Sequence, residues 1–232
     1  MIKSDFVVII IVLAIITPFV IFDAPLQYYY TLNHAHPLIL AFVKFALLAT
    51  FGEMLGMRIK CKTYYTKEFG IIPKGIVWGF LGMWIAIAMG VFSMGIPIYL
   101  SQFETFALMP DAMSGFFSGM KLLGAFAISL MMNLSFAPVF MTLHKVTDAH
   151  ILFYKGSFLA LIKPIKFANL LKNLDWNTHW NFVLKKSIPF FWIPAHTITF
   201  LLPHDWQVLF AAFCSIILGL ILSMSSVFLN KK

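Results

Sequence analysis

The stretch KFALLATFGEML, Lys44 to Leu55, places two charges inside an apolar run long enough to cross a bilayer. A charge at the centre of a membrane helix costs about 2.5–3.5 kcal/mol on insertion scales, so each one needs a reason to be there. Nine residues at about 100° each put Lys44 and Glu53 on opposite sides of a helix and roughly 13 Å apart along it. They are therefore not each other's partner. Ala49, Gly52 and Gly56 lie on the Glu53 half, and small residues are where membrane helices approach closely. Glu53 is expected to face the interior of a bundle, either lining a site or joined in a structural ion pair or hydrogen bond. Lys44, roughly 9 Å from the outer end of the run, is within snorkelling reach of the headgroups. Lys121 is the other charge assigned toward that outer side.

Further polar groups recur at helical spacing. Ser129, Asn133 and Ala137 share one face, and Pro138 frees a backbone carbonyl one turn earlier. Trp192, His196 and Thr199 fall at i, i+4 and i+7, one stripe of a helix. Counted from the lysines at the inner ends, Asn133 and His196 lie at similar depth, roughly 15 Å in, with Glu53 and Trp192 nearer the inner side. Glu53, Asn133, Trp192, His196 and Thr199 are thus expected to line a polar layer near mid-membrane, where transporters and channels place their sites.

Enzyme chemistry finds little footing. Neither HExxH nor GxSxG occurs, and Gly90-Val-Phe-Ser93-Met-Gly95 misses the nucleophile-elbow spacing by one residue. His144, Asp148 and His150 would sit at an inner helix end without a further clear metal ligand. His34, His36, His204 and Asp205 would gather at the outer side as a pH sensor or a weak metal site, against the commoner reading of scattered interfacial histidines. No cofactor is expected. Cys61 and Cys214 fall at different depths, so no disulfide is expected between them; the basic neighbours of Cys61 would lower its thiol pKa, but both cysteines read as spectators.

The elements that must hold these residues follow from composition. Of the 232 residues 61% are hydrophobic and 11% charged, and the mean hydropathy is +0.89, which excludes an ordinary soluble domain. The expected fold is an all-α polytopic membrane bundle, a single domain over residues 1–232. Six transmembrane helices are expected near 6–22, 38–57, 76–97, 117–143, 187–202 and 206–228, the fifth short and interrupted by Pro189 and Pro194. An interfacial amphipathic helix over 151–173, bent at Pro164, would lie on the inner face as an anchor. With six crossings, fifteen Lys and Arg fall on one side, from Lys3 through Lys74 and Lys145 to Lys232, and none on the other. Positively charged loops stay inside, so both termini are expected there, in a bacterial cytoplasmic membrane, with the first apolar run retained as a span. The net charge of +8 then reflects topology and affinity for anionic headgroups, with no nucleic-acid partner. A homo-oligomer is compatible with this pattern.

The segment WNFVLKKSIPFFWIPAHTITFLLPHDWQVLFAAFCSIILGLILS, Trp180 to Ser223, resembles the C-terminal signature of the Mpv-seventeen family of mitochondrial inner-membrane and peroxisomal membrane proteins. That signature runs Trp-Pro, Gln, Asn-Phe, Pro and Tyr-Arg; here Trp192, His196, Thr199-Phe200, Pro203 and Trp206-Gln207 stand at those places, with Ile193 splitting the Trp-Pro. Gly52-Glu53 is similar to the family's Gly-Asp, and Ala137-Pro138 to its Ala-Pro. The likeness covers roughly Lys44 to Ser223, and the first span is additional to the family's usual four. It implies a channel-like protein passing small solutes. A non-transporting assembly or lipid-organising protein and a proton-coupled small-solute carrier, the latter motivated by Glu53 and His196, remain the alternatives.

Overall fold

The computed structural model describes residues 3–229, so Lys231 and Lys232, counted above with the basic side, lie outside it. Every long element among the described residues is helical. Within the single domain expected, two compact units divide the chain, Met1–Leu40 and Ala41–Lys232. The first contains α1 (Lys3–Ile21) and α2 (Asp23–Ala35). None of α1's residues is buried, and a helix apolar on all sides with no buried face is one whose solvent is lipid. Residues read as an outer connection form α2, which closes with the His36 N–H on the Leu32 carbonyl at 2.8 Å.

Among the described residues, four helices are long and apolar enough to cross a membrane: Lys3–Ile21, Pro37–Cys61, Lys67–Leu100 and His204–Ile221. The protein is membrane-associated on that evidence. In chain order α3 is Pro37–Cys61, with Arg58 and Lys60 in its last turn, where cations complement the helix dipole. Next come α4 (Ile71–Leu100), entered through left-handed Gly70, and α5 (Met109–Ser114). Helix α6 (Gly119–Ser135) is capped by the Ser118 hydroxyl accepting from the Lys121 N–H at 3.1 Å.

The remaining expected spans are built differently. The stretch 117–143 divides at Phe136 into α6 and α7 (Ala137–Phe153), because Pro138 suits a helix's first turn better than its interior. Glu104–Ser114 and Gly119–Ser135 together pass as one span only with a 91° bend. Residues 151–173 are not the single interfacial helix expected. Left-handed Lys155 and Gly156 end α7, and only short turns follow, α8 (Leu159–Ile162), α9 (Phe167–Lys172) and α10 (Trp176–Thr178), with Pro164 between the first two. A π-helix then runs from His179 to Trp192, with Pro189 inside it, and continues as α11 (Ile193–Leu201) and α12 (His204–Leu229).

The second unit closes around Phe45, Trp78, Leu81, Ile85, Met89, Ile128, Met132 and Phe200. Small residues set the helix spacing. Gly82 lies against the Phe45 ring, and a Cβ on Gly52 would stand 2.9 Å from the Ile216 Cα of α12. Gly90, further along α4, has nothing within 4 Å of its Cβ position. At the lysine-rich end two loops are pinned by glycine alone. Gly70 and Gly156 both have positive φ, and a Cβ on Gly70 would come within 2.6 Å of the Gly156 Cα, so neither tolerates a side chain. Cys61 is exposed, Cys214 is buried, and both are free thiols.

Candidate functional site: a charged cluster between cavities

Glu53 meets its donors on the next helix. Lys74 and Trp78, one turn apart on α4, both reach it: the Lys74 ammonium bonds Glu53 Oε2, and the Trp78 indole N–H donates to Oε1 at 2.7 Å. Lys74 also donates to Asp148 Oδ1 at 2.7 Å. His144, one turn before Asp148 on α7, sets its Nε2 between two carboxylates, 3.3 Å from Glu53 Oε1 and 3.6 Å from Asp148 Oδ2, so this nitrogen carries the proton it shares with them. Its ring packs on Trp78 with centroids 4.3 Å apart. Three helices therefore converge on two carboxylates, one ammonium and one imidazole.

Glu53, and not His150, stands beside His144 and Asp148. His150 is buried, with Nε2 3.1 Å from the Ala160 carbonyl, anchoring α8. Glu53, His144 and Asp148 offer ligand atoms within 4.8 Å of one another, a donor set that suits a divalent cation. The Lys74 ammonium lies between both carboxylates, and a metal there would have to displace it.

Two cavities flank the cluster. One, of about 810 Å³, is bordered by Lys74 and Asp148 and opens among Lys60, Glu68, Lys145 and Asp175. The other, of about 460 Å³, reaches Glu53, Trp78 and His144 and runs up to Trp192 and Ser215. Lys60, Phe69, Lys145, Asp148, Phe182 and Val183 wall both. A third, of about 60 Å³, shares Trp78, Phe140, Met141, Trp192 and Ser215 with the second and ends at Asn133 and His196.

The π-helix supplies one wall of this series. His179, Val183, Ser187 and Trp192 all line it, at spacings of four, four and five, which the wider i→i+5 winding brings onto one side. His179 is buried, and its Nε2 lies 3.0 Å from Thr142 Oγ1. Because Thr142 spends its only hydroxyl proton on the Pro138 carbonyl at 2.7 Å, the imidazole must donate from Nε2, leaving Nδ1 a bare acceptor. Burial, helped by the nearby Lys145, lowers the His179 pKa below its ordinary value.

The five residues expected to form one polar layer separate into two groups. Glu53 belongs to the charged cluster. Asn133, His196 and Thr199 are buried in a neutral knot between α6 and α11: Asn133 Nδ2 donates to the Ser129 carbonyl at 2.8 Å and lies 3.0 Å from His196 Nδ1, while Ser129 Oγ donates to the Ile193 carbonyl at 2.7 Å. Thr199 Oγ1 turns back to the Ala195 carbonyl at 2.9 Å. Trp192 stacks on His196, centroids 5.1 Å apart, and borders both the second and third cavities. It is the one member that touches both regions.

Of the two charges expected on the outer side, Lys44 is 7% exposed, with Asp205 as the opposing charge acting on it. Lys121 is exposed, donates to the Gly115 carbonyl at 2.7 Å and borders a separate cavity of about 440 Å³ with His204 and Gln207. Residues missed by the sequence reading are Lys74, Trp78 and Ser187. The first two were discoverable as an i, i+4 pair at the foot of a span, matching His144 and Asp148 on α7; Ser187 does not align with Trp192 at 3.6-residue spacing.

No family model matches this chain, nor does any curated protein or solved structure. The functional argument therefore rests on the geometry.

Proposed function

We propose that the protein passes or gates small solutes across a membrane, as a channel-like helical bundle entered from its lysine-rich face. One observation carries this reading: cavities of about 810, 460 and 60 Å³ share walls in succession, leading from Lys60 and Lys145 past the Glu53 cluster to Asn133 and His196. Polar side chains serving only to glue helices would need no such volume beside them. The bundle crosses six times, with both termini and the basic loops on the cytoplasmic side of a bacterial membrane and anionic headgroups around them. The likeness of Trp180–Ser223 to the Mpv-seventeen signature supports the same channel-like reading.

A proton-coupled carrier is the second reading, favoured by the blind end of the series. Phe45, Ile85 and Met132, which wall the smallest cavity, pack in one core with Ile128 and Phe200, which border the cavity beside Lys121. A path closed on one side is the resting shape of alternating access.

Proteoliposomes challenged with neutral and charged solutes of graded size, with and without a pH gradient, test both. Graded passive flux supports the channel, and saturable uptake driven by the gradient supports the carrier. Absence of both leaves an assembly or lipid-organising role. Reporter fusions at Lys67, Lys172 and the C-terminus are all expected to report inside.

A further inference from the structure

Three hydrogen-bonding groups of the π-helix are buried without a partner among the described residues, His179 Nδ1, Ser187 Oγ and Trp192 Nε1. Ser187 is only 6% exposed, and it and Trp192 border the cavity of about 460 Å³. Leaving such a group unmade costs about 1–3 kcal/mol, and nearly all buried polar groups in native structures are satisfied. An indole N–H can only donate. Whatever completes Trp192 must therefore bring an acceptor atom, such as an oxygen.

The rest of the cavity narrows the choice. The wall that it does not share with the larger cavity is largely apolar, with Met57, Phe140, Met141 and Leu218. At the neck shared with the larger cavity stand Lys60 and Lys145, exposed cations without a hydrogen bond or ion pair among the described residues. The two carboxylates that line this cavity are already engaged, Glu53 by Lys74, Trp78 and His144, and Asp148 by Lys74, while Glu68 and Asp175 border only the larger one. Uncommitted charge at the neck is thus positive, and uncommitted polarity in the depth is donor. A volume of about 460 Å³ lies within the range of about 300–1,000 Å³ typical of pockets for small organic ligands.

We propose that this cavity binds an amphipathic organic acid, its carboxylate held at the neck by Lys60 and Lys145, its apolar body along Met57, Phe140 and Met141, and a second oxygen accepting from Trp192 and Ser187. The inference rests on the reading of the cavities as the solute path and names the class of solute. Binding is measured apart from flux, so that the two can fail separately.

The probes are 3-(4-hydroxyphenyl)propionate, the same acid without its phenol oxygen, and the corresponding propanol. Each is measured by equilibrium dialysis against the protein in neutral-lipid nanodiscs, with empty nanodiscs subtracted. The hydroxylated acid is expected to bind saturably, roughly tenfold tighter than either analogue. Lys60→Gln with Lys145→Gln, both at exposed positions, should erase the advantage over the propanol. Trp192→Phe with Ser187→Ala should erase the advantage over the plain acid while leaving the preference for a carboxylate. No saturable binding, equal binding of acid and propanol, or an unchanged acid affinity in the lysine variant would overturn the proposal. Loss of acid binding when anionic lipid is added would also overturn it, assigning the lysines to a lipid headgroup. Solute flux without acid binding would leave the path intact and remove only the acid.

Discussion

The Glu53 cluster and the Asn133–His196 knot are both polar constellations inside one apolar bundle, and they are satisfied in opposite ways. The knot is neutral and closely packed: Ser129, Asn133 and Thr199 have no measurable exposure, their bonds run to backbone carbonyls, to His196 or to one another, and only the smallest cavity reaches it. The cluster is charged and stands beside open volume, with 22% of the Glu53 side chain and 25% of the Asp148 side chain exposed. A neutral hydrogen bond needs only a partner, whereas a buried carboxylate needs a counter-charge or water. Depth in the membrane and polarity, on which the sequence reading placed all these residues in one layer, do not distinguish glue from site; access does.

The sharpest way to break the contrast is to remove Lys74. Two carboxylates on different helices share this one ammonium, and breaking a buried pair costs about 3–5 kcal/mol. Water in the adjoining cavity lowers that, so Lys74→Met is expected to cost about 2–3 kcal/mol, read as a fall in thermal midpoint in detergent. Adding Asp148→Asn should recover part of the loss. A Lys74→Met protein as stable as the wild type would mean that water alone satisfies the carboxylates.

Asn133→Leu comes next and should separate stability from function. It strips His196 of its partner and leaves Ser129 with one bond fewer, at a cost of about 1–3 kcal/mol. Below its melting point the variant should conduct or transport as the wild type does. Altered solute selectivity in folded Asn133→Leu would move the knot from glue to lining. The complementary change is Glu53→Gln, which keeps the size and one acceptor but removes the charge. It should cost less stability than Glu53→Leu, which strands the Trp78 N–H and leaves Lys74 with Asp148 alone, and it should change flux. If both Glu53 variants leave flux and thermal midpoint unchanged, Glu53 is neither site nor glue.

Much of this comparison was legible in the sequence as residues and little of it as partnerships. Helix spacing sent Glu53 inward with Gly52 and Gly56, and the α6 face of Ser129 and Asn133 was read correctly because both lie within one regular α-helix. Lys74 was counted only as a loop charge in the basic asymmetry, although a lysine and a tryptophan four apart at the foot of a span form one face. Ser187 and His179 were illegible for a different reason. Pro189 removes a backbone donor, the helix around it widens to i→i+5, and a 3.6-residue template, which groups 179, 183 and 187, turns 192 about 140° away from 187. Residues 151–173 failed as a helix because left-handed Lys155 and Gly156 stop the chain where a helical wheel saw only a favourable face.

His179 gives the smallest expected effect and joins the comparison through protonation. It is buried, it lies outside the expected span 187–202, and its Nε2–H is committed to Thr142, so a second proton would place an unpaired N–H at Nδ1 and a charge beside Lys145. Burial first, and that lysine second, hold its pKa below the ordinary value. The unfolded chain therefore binds this proton more readily than the folded one, and the stabilising contribution, complete above about pH 6.5, fades as pH falls below it. On acidification from pH 7.5 to 5.5 the thermal midpoint should fall further in the wild type than in His179→Gln. The difference should be about 1–2 °C, under about 1 kcal/mol. The subtraction isolates His179 from the other six histidines. Parallel curves for the two proteins would mean that water in the larger cavity solvates the imidazolium, and that the π-helix wall is wet down to its first turn.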